Sequence, residues 1–168
     1  EMREIDRISI EDMGIPSSVL MNTAGKAVAD FIEKKFSGKK ITIFCGSGNN
    51  GGDGFTAAYY LFNSGYNPVI YLSGKIDKVS ETSGIFLNLC RKSGIEVHEV
   101  DENSLQSVSI PQDSIAVDAV LGTGFEGAAR GIPLEFIKLI NSSCVTVVSV
   151  DIPSGLPSDG KMPEGESV

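Results

Sequence analysis

The residues best suited to chemistry in this chain form one short run, Gly46-Ser47-Gly48-Asn49-Asn50-Gly51-Gly52-Asp53-Gly54, set directly after an apolar stretch at 41–45. Glycine loses more backbone entropy on folding than any other residue. A cluster of it marks a place where the chain needs a positive φ, or where something must come close to the main chain. The residues that follow, 55–62, read as a helix packed on a sheet. The loop's N–H groups would then sit at a helix N-terminus, where a phosphate or other anion is favoured. The spacing Gly46-x-Gly48-x-x-Gly51 fits the dinucleotide fingerprint in form. The redox version of that fingerprint also needs an acidic residue about twenty positions on, at the end of the next strand, to hold a ribose. Here that strand ends in Ser73-Gly74-Lys75, and Asp77 comes only in the connection beyond, which disfavours an NAD-dependent dehydrogenase. The loop holds no lysine, and no Gly-Lys-Ser/Thr follows, so it is not a P-loop.

Two further loops mix small and oxygen-bearing residues beside apolar strands, one running 118–128 and the other 151–157. The elements that must position all three follow from hydrophobic periodicity. Leu20, Ala24, Ala27, Val28, Phe31, Ile32 and Phe36 recur at helical spacing, giving a long amphipathic helix that stops at Ser37-Gly38. Strands are then expected at 41–45, 69–72, 96–99, 114–120 and 145–150. Helices are expected at 54–63, 80–92 and 133–141, with a short one near 102–107. Such alternation predicts a parallel sheet covered on both faces, with all three loops at the carboxyl edge where ligands bind in this class.

At 168 residues the chain is one domain, and its net charge of −8 with scattered basic residues argues against nucleic acid or an anionic membrane as the main partner. Cys45, Cys90 and Cys144 are widely spaced within apolar runs, as small buried residues of a reducing compartment would be. The sequence shows no run of apolar residues long enough to span a membrane and no secretory leader, which gives a cytoplasmic expectation. His98, the only histidine, falls in an alternating strand far from the three loops and is expected at the surface or the core edge. Residues 158–168 read as a loop.

Four blocks in order give these features a common setting. They are Leu20-Met21-x-x-Ala24-Gly25, the run from Cys45 to Gly54, Val117-Asp118-Ala119-Val120-Leu121-Gly122-Thr123-Gly124, and Val150-Asp151-Ile152-Pro153-Ser154-Gly155-Leu156. Together they closely resemble the NAD(P)H-hydrate epimerase family, the YjeF N-terminal domain. The resemblance implies an α/β fold, a Rossmann-like three-layer α/β/α sandwich with a mostly parallel sheet and a long N-terminal helix, and usually a homodimer. Residues 1–168 would be a single such domain that stops short of the family's usual C-terminal strands.

The activity the resemblance implies is isomerisation: inversion of C6 of hydrated NADH and NADPH, so that a dehydratase, fused or separate, can restore the cofactor. Matched by motif, Asn49, Asn50, Gly51, Gly52 and Asp53 correspond to the first part of the substrate site. Gly122, Thr123, Gly124, Phe125, Glu126, Gly127 and Ala128 correspond to the second part. Asp151 matches the substrate-contacting aspartate, and Asn50, Asp118 and Ser154 match positions that coordinate a potassium ion. Asn22 and Ser47 depart from the residues usual in the family. A non-catalytic nucleotide-binding or scaffold module of the same fold is the alternative.

Simpler structural roles exist for several of these residues. Asp53 is also suited to cap the helix after it, and Asp151 to cap a loop. Asp118, inside an apolar strand, must be answered by a cation or by neighbouring N–H groups. For the reaction, Asp151 is the expected acid and base. One carboxyl group shielded from water would protonate the departing C6 hydroxyl and then deprotonate the entering water.

Overall fold

The computed structural model describes residues 2–143 and 145–168; Cys144 lies outside the described residues. Five strands, β1 (Lys40–Cys45), β2 (Val69–Ser73), β3 (Glu96–Val100), β4 (Ser114–Ala119) and β5 (Thr146–Ser149), form one sheet in the order β3-β2-β1-β4-β5. Every neighbouring pair is parallel. Successive side chains point to opposite faces of a strand, and here both faces meet a core. Ile41, Ile43 and Cys45 turn to one side with Ile70, Leu72, Ile115 and Val117, while Phe44, Tyr71 and Ala116 turn to the other. Burial on both faces is why these strands read as nearly continuous apolar runs.

The first core lies under α2 (Ser17–Lys35), α3 (Asn49–Asn63) and α4 (Glu81–Lys92), and the second under α5 (Gly131–Ser142), which inserts Phe136 and Ile140. The result is the expected three-layer sandwich. Before α2 the chain forms a short helix, α1 (Met2–Arg7), that continues through a wider turn at Ile8–Asp12. Sequence periodicity gave no sign of either. Within the stripe read for α2, Phe31 is 47 % exposed and packs edge-on against Phe36 instead of entering the core. Residues 158–168 carry no helix or strand, and their end turns back so that the Val168 N–H donates to the Ser154 carbonyl at 3.0 Å.

The largest difference from expectation is where α3 begins. It starts at Asn49, with Gly48 as its extended N-cap at φ −89°, and the Gly52 N–H closes the first turn on the Gly48 carbonyl at 3.1 Å. Asp53 therefore lies in the second turn and does not cap the helix. Glycine costs about 1 kcal/mol relative to alanine within a helix, which is why this segment reads as a loop. Packing overrides that preference. A Cβ on Gly51 would lie 1.9 Å from the Gly46 carbonyl oxygen, one on Gly52 2.4 Å from Ser83 Oγ, and one on Gly54 2.6 Å from Ala119 Cβ. None of these glycines has a positive φ. They let α3 seat closely on β1, β4 and α4.

Gly25 plays the same part between helices, since a Cβ there would lie 2.3 Å from Thr56 Cβ. Asn22 also ties α2 to α3, accepting a 3.0 Å hydrogen bond from the Tyr60 hydroxyl. Cys45 and Cys90 are free and buried, and burial pushes both thiols up, Cys90 to about 12. These are structural residues, not thiolate nucleophiles. His98 is at the surface, its Nε2 2.7 Å from Glu96 Oε1 and its ring stacked on Tyr71 at 5.3 Å. Among the described residues no helix is long and apolar enough to cross a membrane.

Candidate active site

Strand order decides where a ligand can enter. β1 leads to α3 on one face and β4 leads to α5 on the other, so their neighbouring carboxyl ends part and leave a crevice. The two strand ends are in close contact at its floor. The Gly46 N–H donates to the Ala119 carbonyl at 3.0 Å, and a Cβ on Gly46 would lie 2.1 Å from the Val120 carbonyl oxygen. Above that floor opens a cleft of about 870 Å³. A smaller cavity of about 560 Å³ lies at the opposite edge of the sheet, around Lys40, Tyr66 and Pro111, and takes in none of the expected site residues.

The cleft brings together Asn49, Asn50, Asp53, Gly122, Thr123, Gly124, Phe125 and Asp151. Gly51, Gly52, Glu126, Gly127 and Ala128 do not line it. The first two turn toward the fold, and a Cβ on Gly127 would come 3.9 Å from the Glu164 carboxylate in the C-terminal segment. Sequence reasoning missed one wall altogether. It is formed by Ile10, Ser17, Leu20, Met21 and Ala24, with Ser73 at the end of β2 and Pro133 of α5 adding to the lining. Leu20 and Ala24 were legible as neighbours on one helix face, but periodicity does not say whether a face meets a core or a ligand.

Asp151 is exposed, not shielded from water as the sequence suggested. Its position is nevertheless fixed, because Oδ2 accepts the Thr123 N–H at 2.8 Å. Gly122 lies between this carboxylate and α3: a Cβ there would be 2.9 Å from Asp151 Oδ2 and 3.1 Å from Asn50 Cβ. Asn50 is the unusual member of the group. Its Oδ1 and Nδ2 are both buried with no hydrogen-bond partner. An unsatisfied buried polar group costs roughly 1–3 kcal/mol, and this one lines the cleft.

The model for the YjeF-related protein N-terminus matches residues 17–168. The chain belongs to this family. A bifunctional NAD(P)H-hydrate repair enzyme from Moorella thermoacetica is 38% identical over 166 residues, which are 95% of this chain and 31% of that protein. An NAD(P)H-hydrate epimerase from Rhodopirellula baltica is 33% identical over 158 residues, 94% of this chain and 64% of that one. The chain thus spans 31% of the first of these relatives and 64% of the second. A yeast crystal structure superposes with a TM-score of 0.77 at 28% identity, over 92% of this chain and 68% of the other.

Beside the cleft of this YjeF-related domain, Asp118 is fully buried on the α5 side of the sheet. Register explains its first partner, since β4 pairs Asp118 with Ser149 of β5, whose hydroxyl donates to Oδ2 at 3.0 Å. The Ser154 N–H donates to the same oxygen at 2.8 Å, and the Ser154 hydroxyl donates to Oδ1. That hydroxyl in turn accepts the Leu121 N–H at 2.8 Å, which joins the 118–128 and 151–157 loops through one serine. Loop donors therefore answer the buried carboxylate in the way the sequence left open.

Burial nevertheless outweighs these donors and holds the Asp118 carboxyl above the usual carboxylate range. A raised native pKa means the folded state binds more protons than the unfolded one. The Asp118 contribution to stability is then full below the unfolded value of about 3.9 and is lost as pH rises through the higher native value. Asp118→Asn is expected to flatten the thermal midpoint across that window in buffer free of alkali cations. A midpoint that falls with pH as steeply in the variant as in the parent would contradict this account.

Proposed function

We propose that the protein is an NAD(P)H-hydrate epimerase, an isomerase that inverts C6 of hydrated NADH and NADPH. The observation that carries the reading is the meeting of the Asp151 carboxylate, fixed by the Thr123 N–H, with the unpartnered Asn50 amide at the sheet's switch point. Family membership supports it, as does the activity of the relatives. Among the described residues the cleft wall carries no Lys, Arg or His. A nucleotide's phosphates would be held by main-chain N–H groups at the start of α3, which precede the first helical hydrogen bond.

C6 of the hydrate bears a hydroxyl next to the ring nitrogen. When a carboxylic acid gives that hydroxyl a proton, the C–O bond breaks and water leaves. The nitrogen lone pair moves into a C=N bond, leaving a planar iminium ion. Water then adds to the opposite face of C6, its surplus proton passes to a carboxylate, and the electron pair returns to nitrogen. Atoms and charge balance, and no oxidant is needed. Asp151, whose Oδ2 is tied down, presents its other oxygen for one of these proton transfers.

A potassium ion suits the donors present. Asn50 Oδ1 lacks a partner, Asp118 supplies one formal charge and Ser154 a hydroxyl oxygen. Among the described residues no three His, Cys, Asp or Glu side chains cluster as a divalent or transition-metal site would require. When bound, the ion would supply positive charge to offset the buried Asp118 carboxylate. Potassium added to cation-free protein is expected to raise the thermal midpoint by a few degrees, with lithium ineffective. Equal midpoints in the two salts, or an equal potassium effect in Asn50→Ala, would remove the ion from the site.

A homodimer would cover apolar surface at Ile5, Met13 and Val19, each half or more exposed. A monomer by sedimentation at high concentration would rule it out. A dehydratase, fused or separate, would consume the epimer produced. The deciding experiment for the activity is incubation with an R-enriched hydrate, with the epimer ratio followed by chromatography against the spontaneous background. No acceleration over that background would end the proposal.

A further inference from the structure

Resting on the epimerase reading, we propose that Asp53 is a second catalytic carboxylate, serving the face of the substrate ring that Asp151 does not reach. Inversion through a planar cation requires a hydroxyl to be protonated on one face and a water to be deprotonated on the other. A proton donor must come within about 2.6–3.2 Å of the oxygen it serves. A freely placed carboxylate lying edge-on to C6 would span both faces with its two oxygens. Asp151 is not free in this way: Thr123 N–H holds Oδ2 at 2.8 Å, which leaves Oδ1 alone to face the cleft.

Among the described residues that line the cleft, Asp53 and Asp151 are the only titratable side chains. The rest are glycines, apolar residues, serines, a threonine and two asparagines. Among the described residues no histidine, lysine, cysteine, tyrosine or glutamate lines the cleft to share the work. The two aspartates also come from different walls. Asp151 lies against Gly122, at the loop after β4, whereas Asp53 stands on α3 beside α2, where a Cβ on Gly25 would lie 2.6 Å from the Asp53 carbonyl oxygen. Asn50, one helical turn before Asp53, lies between them. A nicotinamide ring placed over Asn50 would lie between the wall that carries Asp151 and the wall that carries Asp53.

In the forward direction, one aspartic acid protonates the C6 hydroxyl and becomes a carboxylate as water departs. The other carboxylate takes the proton of the entering water and becomes an acid. The reverse inversion, or proton exchange with solvent, restores the starting pair. For each epimer a different aspartate acts first.

The test separates oxygen exchange from inversion. Each pure epimer is incubated in ¹⁸O-labelled water with the wild type, Asp53→Asn and Asp151→Asn. Epimer ratio is read by chromatography and label at C6 by mass spectrometry, with the uncatalysed rates subtracted. In wild type, label enters with inversion. In each single variant, inversion is expected to fall by on the order of 10²-fold. One epimer should still gain label with its configuration retained, and it should be the opposite epimer in the two variants. Asp53→Asn that inverts at the wild-type rate overturns the proposal, and so does loss of both exchange and inversion for both epimers when nucleotide affinity is intact. If Asp53→Asn proves unstable by its thermal midpoint, Asp53→Ser carries the same comparison. A wild type that neither inverts nor exchanges would instead refute the epimerase reading itself.

Discussion

Asp151→Asn is expected to fold as the parent does and to bind nucleotide with similar affinity, while epimerising at a rate lower by on the order of 10²-fold or more. The structural half of this expectation comes from the one bond the side chain makes. Oδ2 accepts the Thr123 N–H, and an asparagine carbonyl oxygen of the same shape accepts it equally well. Because the residue is exposed, its replacement creates no buried unpartnered group. What the amide lacks is an oxygen that can take up and release a proton. Affinity and thermal midpoint are measured beside the epimerisation rate, with the spontaneous reaction subtracted. Similar rates in the two proteins would remove Asp151 from the chemistry, and a collapse in midpoint would mean that its hydrogen bond is structural above all.

Gly51→Ala is expected to destabilise the protein whether or not nucleotide is present. The added Cβ would lie 1.9 Å from the Gly46 carbonyl oxygen and 2.8 Å from its carbon, which are backbone atoms that no rotamer change can move aside. Either α3 lifts from the end of β1 or the loop after β1 shifts. Overpacking of this kind costs about 1–3 kcal/mol, and a domain of this size loses about 2–4 °C of thermal midpoint per kcal/mol. Gly52→Ala should be milder, since its Cβ meets the flexible end of Met21 along with Ser83 Oγ. An unchanged midpoint for Gly51→Ala, with nucleotide binding alone lost, would restore the view that this glycine is there to admit the ligand.

That view was the natural one from the sequence. A dense glycine run after a strand reads as a ligand cradle, and the local preference of Asn49-Asn50-Gly51-Gly52 is for a turn. The intrinsic penalty for helix is about 1 kcal/mol per glycine, and it is reversed here only because β1, β4 and α4 approach from different parts of the chain. Asp53, expected in the substrate loop and also suited to cap the helix, loses the capping role once the helix starts at Asn49 and lines the cleft from the second turn. No local pattern encodes such a contact.

The parallel sheet and the three carboxyl-edge loops were legible in the sequence, and Asp118 stood out inside an apolar strand, while the roles expected of Asn50, Asp151 and Ser154 came from the family resemblance. A strand buried on both faces must be apolar throughout, so a polar residue inside or just after one stands out. Connections of the βαβ type place successive strand ends at one edge. The four motif blocks added the family. Tertiary structure alone decided how those loops meet: that Ser154 joins Asp118 to Leu121, that Thr123 fixes one oxygen of Asp151, that Asn50 is left unpartnered, and that α2 supplies a wall. Each of these depends on distances between residues separated by tens of positions in the chain. Residue type and periodicity constrain neighbours along a strand or helix, and the packing of the whole sheet sets the distances between its ends.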